Sequence, residues 1–177
     1  VRERELAEMK ASETGPAEQR HGFVLVEDDA RCRMAIPLEK VARLEKFFSA
    51  AIERLGDQSV VQYRGEILPL VNVAGLLRKG TKEAGMPSAG SLPAGGSSDL
   101  LHVVVYSHGG RSIGLVVNHI LDIAEQVLAM KSRATRDNVL FSTVIQGHVT
   151  EFLDVEGLIR AGDPGFFAGT AGVPAGV

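Results

Sequence analysis

The chain has 177 residues, 45% of them hydrophobic, with 19 Lys and Arg against 22 Asp and Glu for a formal net charge of −3. That length holds one ordinary domain or two small ones on a shared core, and the acidic balance, without a run of clustered Lys and Arg, excludes nucleic acid as the main partner. No apolar run approaches the roughly 20 residues of a membrane span, and a lone cysteine, Cys32, excludes an internal disulfide or a thiolate metal cage.

Residues 1–20 are polar and read as a linker or the tail of a preceding domain. The opening VRERELAEMK lacks the apolar core of a secretion signal, and its first residue, valine, points to a chain cut from something longer. Residues 22–26 read as a strand and 27–29 as an acidic turn. A second strand over 31–36 sets Cys32, Met34 and Ile36 on one face, and Pro37 ends it. Residues 38–44 fit helix or strand. Beyond Phe47, Phe48 and Ile52, Gly56-Asp57 marks a turn into the stretch VVQYRGEILPLVNV, which reverses at Tyr63-Arg64-Gly65-Glu66. Pro69 cannot donate to a ladder, so its strand is expected at an edge or a bulge.

Residues 80–99 collapse into glycine, serine, alanine and proline and are expected to be a mobile insert. The stretch VVVYSHGGRSIGLVVNHI follows, reversing at His108-Gly109-Gly110-Arg111. Residues 121–130 fit a strand or short helix, and 131–138 a polar connection. Two strands over 141–145 and 149–155 turn at Gln146-Gly147-His148, 156–160 form a short closing helix, and 161–177 return to linker composition. The two hairpins echo each other. With Gly65 set on Gly110, Leu68 falls on Ile113, Leu70 on Leu115 and Val71 on Val116, the mark of two related β-units. Many short strands with glycine turns predict an all-β barrel architecture.

No catalytic centre emerges. His21, His102, His108, His119 and His148 show no metal-ligand spacing, so neither a metal nor a cofactor is expected. Ser107, His108 and Asp122 form a hydrolytic triad only on paper, because Ser107 falls near a hairpin turn without a nucleophile elbow. Gly109, Gly110 and Gly114 run strand–turn–strand and not into a helix, so they do not make a phosphate cradle. Arg64, at a hairpin tip between Tyr63 and Gly65, suits a partner carboxylate or its own loop. The pattern points to a protein–protein recognition module.

The segments IPLEKVARLEKF, VVQYRGEILPLVNVAGLL, VVVYSHGGRSIGLVVNHILDI and VIQGHVTEFLDVEGLI resemble, in order, those of the CheW-like domain of bacterial chemotaxis, over residues 22–160. The resemblance implies two five-stranded SH3-like β-barrels packed around a shared core, with short helices, over residues 21–160. It also implies a non-catalytic role in the cytoplasm at membrane-bound receptor arrays, without membrane insertion. The implied partners are the CheW adaptor or the CheA kinase, and the cytoplasmic tip of a methyl-accepting chemoreceptor. Gln62-Tyr63-Arg64-Gly65 and Leu68-Pro69-Leu70-Val71 look more like the C-terminal regulatory domain of the kinase CheA; a free-standing CheW adaptor is the alternative, and a small β-barrel hydrolase or ligand-binding protein a distant third. Asn118 departs from the aspartate frequent in the family at that place. Val41, Leu44, Arg64 and Ile67 are expected on the first barrel's contact surface. Ile113, Leu115, Ile120 and Leu121 are expected on the second-barrel and groove side, where several must also fill the core.

Overall fold

In chain order the elements are β1 (Arg20–Glu27), β2 (Arg33–Pro37), a 3-10 turn (Leu38–Lys40), β3 (Arg43–Phe48), a second such turn (Ser49–Ala51), β4 (Ile52–Leu55), β5 (Gln58–Tyr63), β6 (Glu66–Asn72), α1 (Val73–Lys79), β7 (Leu100–His108), β8 (Arg111–Val117), β9 (His119–Val127), β10 (Ser132–Arg133), β11 (Val139–Ile145), β12 (His148–Leu153) and α2 (Val155–Gly162). They come from a computed structural model that describes residues 19–79, 99–128, 131–134 and 136–168. Residues 1–18, 80–98 and 169–177, which hold most of the expected linkers and insert, lie outside the described residues.

The strands form two six-stranded sheets, ordered β10-β11-β12-β2-β1-β9 and β3-β7-β8-β6-β5-β4. Both are mixed, since β12 runs parallel to β2 and β6 parallel to β8 while the other neighbours are antiparallel. The expectation of two closed five-stranded barrels is therefore overturned. Among the described residues no ladder joins β3 to β4 or β9 to β10, so each sheet keeps two edges. The second sheet curls only into an open half-barrel, and side chains bridge its gap. There the Phe47 ring of β3 meets Tyr63 of β5 edge-on at 5.9 Å, and the Tyr63 hydroxyl donates to Glu45 at 2.8 Å.

The echoing hairpins also share a sheet. Their return strands β6 and β8 pair side by side, Leu70 with Gly114, Val71 with Leu115 and Asn72 with Val116. Pro69 consequently lies inside the sheet and not at its edge. It is tolerated because the parallel ladder to β8 begins one residue later, at Leu70. Three hairpin tips have both central residues at positive φ, the pattern of a type I′ turn: Arg64-Gly65, Gly109-Gly110 and Gln146-Gly147. That twist matches the right-handed twist of the flanking strands.

Burial explains the strand sequences. Phe23-Val24-Leu25-Val26 in β1 is buried without a break because both faces of the strand are covered. Phe23 and Leu25 fill the hollow of the first sheet with Ala35, Ile145 and Phe152, whereas Val24 and Val26 join the core shared with the second sheet. In β7, Val103 and Val105 line the half-barrel and Val104 and Tyr106 face the shared core. The helices seal that core, α1 with Val73, Leu76 and Leu77, α2 with Val155, Leu158 and Ile159. Asp154 caps α2 by accepting from the Gly157 amide at 3.1 Å. Residues 161–168, expected in the C-terminal linker, finish α2 and bring Phe166 into the core.

Candidate functional site

The residues that carry chemistry on paper are kept apart. Ser107 lies in β7 opposite Ser112, and their hydroxyls share a hydrogen bond of 2.8 Å. Asp122 sits in the other sheet, accepting from the Ile123 amide at 2.8 Å and the Gln146 side chain at 3.1 Å. His108 instead stacks on Tyr106 and meets Phe167 edge-on. Burial, then the nearby Lys46 charge, pushes the His102 imidazole below its usual range, which suits a neutral packed ring. Among the described residues no three His, Cys, Asp or Glu side chains cluster as metal ligands.

The surface residues form two groups. Arg64 stands exposed on its type I′ tip, its guanidinium 5.8 Å from the Tyr63 ring. Because Tyr63 also reaches Glu45 and Phe47, this tip is drawn beside β3. Ile67 follows in β6, 62% exposed, on the face opposite buried Leu68. Val41 and Leu44 are half-buried against the shared core, where β3 begins to pair with β7. These four thus belong to one end of the second sheet and its crossing to the shared core.

Ile120 and Leu121 lie on β9, an edge of the first sheet. Ile120 packs on the shared core, whereas Leu121 is the extra residue of a β-bulge: Val26 pairs with Ile120 and Leu25 with Asp122, and Leu121 is left unpaired and exposed. Ile113 and Leu115 are different. Both are 0% exposed in the shared core, so as folded neither offers surface to a partner. β8 is interior to its sheet, and this face of it is covered by the other sheet and the helices. Several exposed apolar side chains were not singled out from sequence: Leu55 on the edge strand β4, the cross-strand pair Phe48 and Leu100, and Val149 on β12. In sequence they look like any strand residue; only their exposure in the folded sheets singles them out.

An ion pair ties this region to the closing helix. Lys40 Nζ donates to Glu156 Oε1 at 2.8 Å, and Arg160 approaches the same carboxylate at 3.7 Å. The hydrogen bond from Lys40 holds the Glu156 carboxyl below its usual range against a smaller opposing effect of burial, and raises the Lys40 amine in turn. A lowered carboxyl contributes stability above the unfolded value near pH ~4.3, and that stability is lost as pH falls through the folded value. Both side chains are about one-third exposed, which limits the effect to less than about 1 kcal/mol. Glu156→Gln is therefore expected to be slightly less stable than the parent at pH 7, with the gap in denaturant midpoint closing below about pH 4. A gap that persists in acid would assign the effect to packing.

No described helix is long and apolar enough to cross a membrane. No curated protein matches the chain. Among solved structures, the scaffolding protein TtCheW from Thermoanaerobacter tengcongensis is similar with a TM-score of 0.57 and 14% identity, over 76% of this chain and 89% of that one. At that identity the likeness shows the fold alone. The CheW-like domain family matches residues 22–163, which take in both sheets and both helices. The chain belongs to the CheW-like domain family, the non-catalytic scaffold domains of chemotaxis signalling.

Proposed function

We propose that this domain acts as an adaptor, docking on the regulatory domain of a chemotaxis kinase and on the cytoplasmic tip of a chemoreceptor, in the cytoplasm beneath a receptor array. The observation that carries this is the exposed apolar and cationic end of the second sheet. Ile67 stands largely in water there, next to Arg64 on a turn fixed by the Tyr63–Glu45 bond. An exposed apolar side chain with a guanidinium beside it suits a protein partner. Val41 and Leu44 extend the patch on the β3 side, and Ile120 with Leu121 offer a second face at the β9 edge.

The adaptor role is favoured over the kinase's own regulatory domain because the similar structure, matched over most of its length, is a scaffolding protein. The kinase-like look of Gln62-Tyr63-Arg64-Gly65 is the one feature on the other side. Titration against a kinase regulatory domain, a CheW adaptor and a receptor cytoplasmic fragment separates the two. An adaptor binds the regulatory domain; a kinase domain prefers the adaptor. Ile67→Ser is expected to weaken the protein–protein contact about tenfold, and Arg64→Asn, which tolerates the left-handed turn, somewhat less, with unchanged melting curves. A folded protein that bound none of the three would overturn the reading.

A further inference from the structure

The first sheet holds a feature that adaptor docking does not use. Its curl leaves a cleft of about 840 Å³ between β9 and the β10–β12 strands, closed at one end by the β1–β2 turn. Side chains span the gap only in part: Gln126 Nε2 donates to the Val144 carbonyl at 3.4 Å, and Gln146 bridges to Asp122. Among the described residues four arginines line this cleft, Arg31, Arg33, Arg133 and Arg136, against one carboxylate, Glu151. Glu151 is already committed, because Arg136 grips both its oxygens with Nε and a terminal nitrogen.

Three guanidinium groups are thus left without a carboxylate among the described lining residues of a chain whose net charge is −3. Arg31 and Arg133 make no ion pair among the described residues. Arg33 reaches only the Gln146 amide oxygen at 3.3 Å, and its Nε is buried with no hydrogen-bond partner among the described residues. A buried donor left unpaired is costly, and so is crowding like charges. Cys32 in the same lining does not offset them. Burial, then the Asp28 charge, pushes its thiol up, so it is neutral at pH 7.

The geometry points to a binding site in this cleft for a small, multiply charged oxyanion, a phosphate ester or a polycarboxylate, held by Arg31, Arg33 and Arg133. Guanidinium forks match the paired oxygens of both groups. The volume falls in the ~300–1,000 Å³ range of small-molecule pockets, and Val144 and Val149 supply an apolar wall for the body of the ligand. No signalling partner enters this assignment, so it stands or falls apart from the adaptor role.

The test is calorimetric titration of the full chain at low salt with pyrophosphate, citrate, acetate and a hexaglutamate peptide. Saturable binding of pyrophosphate or citrate is expected, with acetate far weaker; whichever of the two binds more tightly names the phosphate or carboxylate source. Arg133→Gln, an exposed residue on a two-residue edge strand, should cost about tenfold while leaving the melting curve unchanged. Arg54→Gln removes the same charge from exposed β4 in the other sheet and should leave affinity unchanged. Bound anion should also slow alkylation of Cys32, the only cysteine. The assignment fails if neither anion saturates, if both variants lose affinity equally, or if only hexaglutamate binds.

Discussion

Leu115→Ala is expected to lower the unfolding free energy by about 3 kcal/mol, and to abolish partner binding only at temperatures where the domain has melted. Leu115 is wholly buried in the core shared by the two sheets, among side chains that include Ile113, Val104 and Tyr106. Truncation there removes the transfer energy of the lost methyl and methine groups and leaves a cavity that the close-packed neighbours cannot readily fill. Ile67→Ser gives the opposite signature, since its side chain is mostly in water: stability held, binding lost. Urea unfolding and partner titration on both variants separate the roles. A Leu115→Ala protein of parental stability with weakened binding at low temperature would put the residue on the interface after all.

Gly114→Val should destabilise the domain by about 2 to 3 kcal/mol. Gly114 pairs with Leu70 where the two hairpins join, and a Cβ built on it falls 2.6 Å from Leu70 Cδ2 and 2.7 Å from Val103 Cγ1. Leu70 has some freedom to swing away, whereas Val103 is β-branched and packed within the half-barrel. The expected result is a lower thermal midpoint with native-like far-ultraviolet dichroism, and loss of hydrogen-exchange protection along β6 and β8. Parental protection at that seam would mean that the hairpins do not depend on close approach there.

How much of this was legible depended on how local the cause was. The Arg64-Gly65, Gly109-Gly110 and Gln146-Gly147 tips lie where their residues predict hairpins, because a turn's chemistry is settled within four residues. The ambiguous residues 38–44 became a 3-10 turn and the start of β3, and residues 121–127 joined β9; runs so short carry no decisive period. Of the expected contact residues, Arg64, Ile67 and Leu121 are exposed, and Val41, Leu44 and Ile120 half-buried. Ile113 and Leu115, expected on the groove side among residues that must also fill the core, are wholly buried, in a strand whose face there is covered by the other sheet. The arginine-lined cleft left no trace, because Arg31 and Arg133 are about a hundred residues apart.

By itself the sequence determined most of the strands with their turns, though not β4 or β10, and also the echo of two hairpins and the family, each of which rests on residues that are near neighbours or on ordered segments. The tertiary structure alone decided that the hairpins share one sheet, that the second sheet stays an open half-barrel, and which apolar faces end in the core. The physical reason is that strand pairing is chosen by edges and faces brought together from distant parts of the chain. β6 meets β8 across more than forty residues, and no local pattern in either strand states that partnership.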